Sequence, residues 1–253
     1  MDLGLAGRKV IINGGARGLG LAALRIFAAE GCDIAFFGRD AAKVEAARAE
    51  LAACGTKIHA EAFDMTASHQ GYRDWLASAA DGLGGCDIFI HNASSSGAGA
   101  TGDWQKTFDL DMMGAVGGVE ALTPALAASG SGSIVLMSST AAIETFVAPQ
   151  AFNAIKAAVI TYGSQLAQAL APQGIRVNCI SPGPIEYPGG NWEMIKGAMP
   201  GFYDGIKAAM PFGRLGRPDE VARAMVFIAS PAASYISGAN LVVDGSFTKR
   251  VQF

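Results

Sequence analysis

Lys9-Val10-Ile11-Ile12-Asn13-Gly14-Gly15-Ala16-Arg17-Gly18-Leu19-Gly20 is the stretch on which the fold turns. An apolar run, Lys9 to Ile12, enters a loop with the spacing Gly14-x-x-x-Gly18-x-Gly20. From Leu19 to Glu30 apolar residues recur at helical spacing, and Gly31 ends the pattern. Glycines permit a tight turn and a close backbone approach, so a pyrophosphate can rest on the open N–H groups of the helix N-terminus. A glycine-rich loop alone is a weak signal, but strand, loop and helix in this order make it strong. A plain strand-to-helix turn has no need of three spaced glycines.

The same alternation runs on. Asp33 to Phe37 reads as a strand, Ala41 to Ala53 as a helix, Lys57 to Phe63 and Asp87 to Ile90 as strands. A long helical region spans Trp104 to Ala128, followed by a strand from Ser133 to Met137, a helix from Ala151 to Leu170 and a strand from Arg176 to Ile180. Pro218 to Ala229 is a helix with proline near its start, and Asn240 to Val243 closes the pattern. Strands alternating with helices imply a parallel sheet covered on both faces. The expectation is one α/β domain over residues 1–253, a Rossmann-type doubly wound sheet in three layers. The stretch from Pro182 to Gly216, rich in Gly, Pro and Met, reads as irregular. A loop of that length in a compact domain is usually functional, so residues 184–216 are expected to form a substrate lid.

Composition narrows the partners. The 253 residues carry a formal charge of −3 with no run of Lys or Arg, which argues against nucleic acid. Cys32, Cys54, Cys86 and Cys179 lie far apart, and His59, His69 and His91 lack metal-ligand spacing. The thiols read as buried and reduced, and no metal is expected. The first strand begins within ten residues, which leaves no room for a signal peptide, and no apolar run reaches membrane length. A cytoplasmic location is expected.

After the second strand comes Gly38-Arg39-Asp40. An acidic strand end would hold the adenosine ribose hydroxyls and select NAD. Here Arg39 lies just past the strand and Arg17 in the phosphate loop, so two guanidinium groups can clamp a 2′-phosphate, and NADP(H) is the expected cofactor. Solvated surface arginines are the alternative, and Asp40 follows one residue on.

Taken together these features resemble the short-chain dehydrogenase/reductase family over essentially the whole chain. Phe63-Asp64-Met65 is similar to the family's adenine-contacting end of the third strand. His91-Asn92-Ala93-Ser94 resembles its Asn-Asn-Ala-Gly turn, with the first Asn and the Gly replaced. Ile180-Ser181-Pro182-Gly183-Pro184-Ile185 resembles the nicotinamide-side Pro-Gly motif, and Val243-Asp244-Gly245 a C-terminal signature. The resemblance implies cofactor contacts at Gly14, Arg17, Gly18, Leu19, Gly20, Arg39, Asp64, Met65, Asn92, Ala93, Lys156, Pro182, Gly183 and Ile185. It also implies a homotetramer in which Ala151–Leu170, Trp104–Ala128 and the last strand pack across subunits.

The family carries a Tyr four residues before its Lys and a Ser thirteen residues before that Tyr. Counted back from Lys156, the two positions hold Phe152 and Ser139. Spacing is intact, yet Phe152 has no proton to give. The resemblance places Asp111 where the family has an Asn that holds a relay water, and near Lys156 it is expected to form an ion pair. Asn13, where the family usually has Thr, is expected to bond to the facing turn. Ser139, Phe152, Lys156 and Asp111 are therefore the candidate catalytic set. Tyr187, Tyr203, Glu144, Gln150 and His91 are candidates to replace the missing acid. Trp192, Met194, Met199, Phe202 and Met210 suggest an apolar substrate cover, or equally lid-to-core or subunit packing. The implied function is an NADP(H)-dependent oxidoreductase acting on a carbonyl/alcohol pair with an altered proton donor. The alternatives are a cofactor-binding relative with little or no turnover, and a re-tasked lyase or isomerase.

Overall fold

Seven parallel strands in the order β3-β2-β1-β4-β5-β6-β7 form the sheet of the computed structural model, which describes residues 1–96, 101–145 and 148–251. The strands are β1 (Lys9–Asn13), β2 (Asp33–Gly38), β3 (Ile58–Ala62), β4 (Ile88–His91), β5 (Ser133–Met137), β6 (Arg176–Pro182) and β7 (Asn240–Val243). Alternate residues of β1 feed two cores. Val10 and Ile12 pack with α1 (Gly18–Ala29), α2 (Ala41–Leu51) and α9 (Pro218–Ala229). Ile11 packs on the other face with α3 (His69–Leu83), α5 (Gly114–Ala128) and α6 (Ala151–Leu170). The central strands are buried on both faces, which is why they read as unbroken apolar runs rather than as alternation. Chain order reverses between β1 and β4, so a crevice opens beyond the carboxyl ends of these strands.

Four features depart from the sequence expectations. The sequence reading gives no element to residues 64–86, yet α3 lies there, with Tyr72, Trp75, Leu76, Ala79, Ala80 and Leu83 as its buried stripe. Ser68 caps its start by accepting from the Gly71 N–H at 3.0 Å, and Gly84 ends it at φ 78°. The long helix from Trp104 to Ala128 is three pieces. They are α4 (Trp104–Thr107), a π-helical turn over Phe108–Met113, and α5. The stretch read as irregular holds α7 (Asn191–Ala198) and α8 (Pro200–Ala209), because Trp192, Ile195, Tyr203 and Met210 give it a small apolar core of its own. Cys54, expected to be buried, is exposed in the turn that follows α2. No helix among the described residues is long and apolar enough to cross a membrane.

Candidate active site

The crevice is a single cavity of about 830 Å³. Its phosphate end is built by the turn from β1 into α1, where Gly14 (φ 70°) and Gly18 (φ 56°) take the left-handed conformation that only glycine adopts at little cost. A Cβ on Gly20 would run into the Gly14 carbonyl, so the turn requires glycine there too. Arg17 is the N-cap of α1 and provides no side-chain cap. The first-turn N–H groups of a helix have no intrahelical partner and favour an anion, so the loop fits a pyrophosphate.

Asn13, at the end of β1, ties this loop to the next one. Its Oδ1 accepts from the N–H groups of Asn92 (2.6 Å) and Ala93 (2.8 Å), and the Asn92 side chain donates to the Gly14 carbonyl at 2.8 Å. Both loops, with Leu19, Met65, Lys156, Pro182, Gly183 and Ile185, line the one cavity. Arg17, Gly38, Arg39, Asp40 and Lys43 line it as well. Asp40 caps α2, accepting from the N–H groups of Ala42 (3.1 Å) and Lys43 (3.2 Å), and pairs with the Lys43 ammonium at 3.0 Å. That carboxylate is thus committed to the helix start. Burial works to raise the Asp64 carboxyl pKa, but hydrogen bonds from Thr66 and the nearby Arg39 charge hold it below the usual range.

At the other end stand Ser139, Phe152 and Lys156, all lining the cavity. The Ser139 hydroxyl oxygen accepts from the Ala141 N–H at 3.1 Å. Lys156 is buried; its Nζ donates to the Met137 carbonyl (2.5 Å), pairs with Asp111 Oδ1 (2.8 Å) and lies 5.8 Å from the centre of the Phe152 ring. Asp111 is fully buried, and its Oδ2 accepts from the Ser95 N–H at 2.8 Å. Burial opposes its charge, but the Lys156 ammonium and the Ser95 bond hold its carboxyl below the ordinary carboxylate range. The expected ion pair is present, and the π-helical turn carries it.

The candidate replacements for the acid separate. Tyr203 donates to Glu186 at 2.7 Å and lines a second, smaller cavity with Lys196 and Arg214. Glu144 accepts from the Lys249 N–H at 3.4 Å and does not line the main cavity. Tyr187 does line it, but its ring lies on the phosphate loop, where a Cβ on Gly18 would meet it at 2.7 Å. Gln150 lines the main cavity, as does Phe152. His91 is sealed behind it, bonded through Nδ1 to the Asn13 amide (2.7 Å), which also donates to the Tyr72 hydroxyl (2.8 Å). Sequence reasoning missed the Tyr72–Asn13–His91 chain because its members are far apart in sequence and only the sheet brings them together.

Burial, and then the Lys156 charge, push the His91 pKa down to about 3. An imidazole in the unfolded chain titrates near ~6.5. Between those values the unfolded state binds a proton that the folded state refuses, so His91 costs stability as pH falls below ~6.5 and nothing above it. The urea midpoint should rise from about pH 4.5 to 6.5, and His91→Asn should flatten that rise, since each pKa unit is worth about 1.4 kcal/mol. Equal slopes in both proteins would exclude His91 as the cause.

Comparison with known proteins agrees with this geometry. A family model described as enoyl-(acyl carrier protein) reductase matches residues 14–248. The isoepoxydon dehydrogenase patN of Penicillium expansum is 38% identical over 263 residues, covering 100% of this chain and 99% of its own. The 3-oxoacyl-[acyl-carrier-protein] reductase FabG of Chlamydia pneumoniae is 30% identical over 98% of this chain and 100% of its own. The crystal structure of L-sorbose reductase from Gluconobacter frateurii, complexed with NADPH and L-sorbose, superposes with a TM-score of 0.89 at 30% identity, covering 99% of this chain and 100% of that one. The chain belongs to the short-chain dehydrogenase/reductase family. It is an oxidoreductase of that type, from a family that binds a nicotinamide cofactor.

Proposed function

We propose that the chain is an NADP(H)-dependent oxidoreductase interconverting a carbonyl and an alcohol, with Phe152 standing where the family has its proton-donating Tyr. One observation carries this reading: a single cavity joins the phosphate loop and Arg39 to Ser139, Phe152 and Lys156. The α1 N-terminus would hold the pyrophosphate, Arg17 and Arg39 the 2′-phosphate, and Asp64 and Met65 the adenine end. Asn92, Ala93, Pro182, Gly183 and Ile185 would flank the nicotinamide half. An ammonium has three donors; one of those on Lys156 serves the Met137 carbonyl and its charge pairs with Asp111, which leaves donor capacity for the nicotinamide ribose. The cofactor, when bound, supplies or accepts the hydride. Ser139 would donate its O–H to the substrate oxygen while its own oxygen accepts from the Ala141 N–H. Phe152 would supply an apolar wall and no proton, so protonation falls to solvent, at a cost typical of a lost acid, about 10²–10⁴-fold.

The names of the isoepoxydon dehydrogenase and the L-sorbose reductase support a small-molecule alcohol or ketone as substrate. Residues 184–216 would cover it, since Trp192, Ile195, Met199 and Phe202 line the same cavity. A second reading, a cofactor-holding protein of little turnover, is favoured by the Asp111 carboxylate, whose charge cancels the Lys156 field that would steady a developing alkoxide. Titration with NADPH and NADH, then a ketone and alcohol panel followed at the nicotinamide absorbance, separates the two. NADPH should bind more tightly than NADH, and Arg39→Ala should erase most of the difference; equal affinities in the parent protein would overturn the 2′-phosphate clamp.

The family resemblance supports a homotetramer, as do the exposed Trp104 and Phe108 beside α5 and the exposed Tyr235 and Leu241 by β7. Light scattering at micromolar concentration should give four times the 25.9 kDa chain mass. A monomer there would count against it.

A further inference from the structure

Two fastenings of the lid lie toward the cofactor end of the cavity, its own neck and a turn set against the phosphate loop. At the neck, Ile185 bridges Gly216, with Glu186 N–H donating to the Gly216 carbonyl (3.0 Å) and Gly216 N–H to the Pro184 carbonyl (2.9 Å). The second fastening reaches the phosphate loop. Tyr187-Pro188-Gly189-Gly190 makes a turn closed by the Gly190 N–H on the Tyr187 carbonyl at 2.9 Å, with Gly189 at φ 70°. A left-handed glycine in third place is what a type II turn requires, and proline in second place favours it. From that turn the Gly189 carbonyl accepts from Arg17 Nη1 at 2.7 Å, and the Tyr187 ring covers Gly18. The Gly189 N–H donates to Glu193 at 2.6 Å, which carries the connection into the first turn of α7, beside Trp192.

We propose that Arg17 and Tyr187 are positioning residues that couple the cofactor's 2′-phosphate to the substrate wall, a coupling that rests on the NADP(H) reading above. A guanidinium is a planar fork of five donors. The fork of Arg17 can therefore meet a phosphate beside Arg39 while it holds the Gly189 carbonyl. A phosphate that fixes Arg17 fixes the turn, the turn fixes Glu193 and α7, and the Trp192 wall becomes cheaper to order. Cofactor preference then appears in substrate KM as well as in cofactor affinity, and substrate in turn tightens NADPH more than NADH.

Two fragments test this without turnover. Adenosine 2′,5′-bisphosphate and adenosine 5′-monophosphate share the pyrophosphate-end anion and differ in the 2′-phosphate. At saturation, the bisphosphate should slow amide exchange over residues 187–199 by about tenfold or more, and the monophosphate should leave it nearly unchanged. Arg17→Ala should abolish that protection even at concentrations that saturate the site through Arg39. Arg39→Ala should weaken the bisphosphate yet keep the protection once saturated. Bisphosphate that binds more tightly than monophosphate while residues 187–199 exchange as before would overturn the coupling and leave the NADP(H) reading standing. Equal protection by both fragments would also overturn it, because the signal would then come from the pyrophosphate end. Equal affinity for both fragments would overturn the NADP(H) reading and the coupling with it.

Discussion

Phe152→Tyr is expected to raise nicotinamide turnover on simple ketones or alcohols by at least about tenfold, within the 10²–10⁴-fold range of general acid catalysis. The position is already held. The Phe152 N–H donates to the Thr101 carbonyl at 3.1 Å, Lys156 Nζ sits 5.8 Å from the ring centre, and Ser139 lines the same cavity. A phenol adds one oxygen to a ring that is only partly buried. Asp111 limits the gain, because its carboxylate 2.8 Å from Lys156 offsets the positive field that would help the phenol ionise. In alcohol oxidation, where the phenolate acts as base, the gain should therefore grow with pH, and adding Asp111→Asn should move that growth to lower pH. No gain on any substrate at any pH would refute the view that only the acid is missing. Loss of a native activity with reductase activity still absent would point to a re-tasked pocket.

Lys156→Met should destabilise the fold by about 3–5 kcal/mol, the usual cost of stranding one member of a buried ion pair. Lys156 and Asp111 side chains are 1% and 0% exposed, so water cannot take over the carboxylate. After the substitution Asp111 would keep the Ser95 N–H and lose its counter-charge. The double variant Lys156→Met, Asp111→Leu should regain much of the loss, since removing both charges leaves neither stranded. Urea unfolding of the four proteins gives the coupling directly. A single-variant cost below about 1 kcal/mol would mean that the pair is solvated and not a buried ion pair.

Much of the fold was legible because it rests on local signals. The β1 turn and α1 declare themselves through Gly14, Gly18 and Gly20, and the buried strands through runs such as Val10-Ile11-Ile12. The helix α3 is equally legible, with Ser68 as cap, Gly84 as stop and a stripe from Tyr72 to Leu83. The helices α7 and α8 are harder to read, because Gly197, Gly201 and Gly205 dilute the pattern and the apolar face closes on itself. At the site, the Ser139–Phe152–Lys156 spacing picks out three residues that line the one cavity. Nothing local could show that Tyr187 lies on Gly18, or that Asp40 is taken up by α2. Those are decisions of tertiary contact.

The π-helical turn makes the meeting of Asp111 and Lys156 a matter of residue count as much as residue type. Phe108–Met113 bulges because one residue more than a regular turn needs is fitted between α4 and α5. Each residue of an α-helix advances about 100° around its axis. Deleting Met112 would remove the extra residue and let the segment relax into continuous α-helix, with α4 and α5 keeping nearly their present phase and only the residues of the bulge turning. Asp111 would turn away from Lys156 while Trp104 keeps the face it now presents, with neither side chain altered. The site is thus kept in phase by length, so a one-residue deletion inside a helix far from any loop would unmake it as thoroughly as replacing the charge.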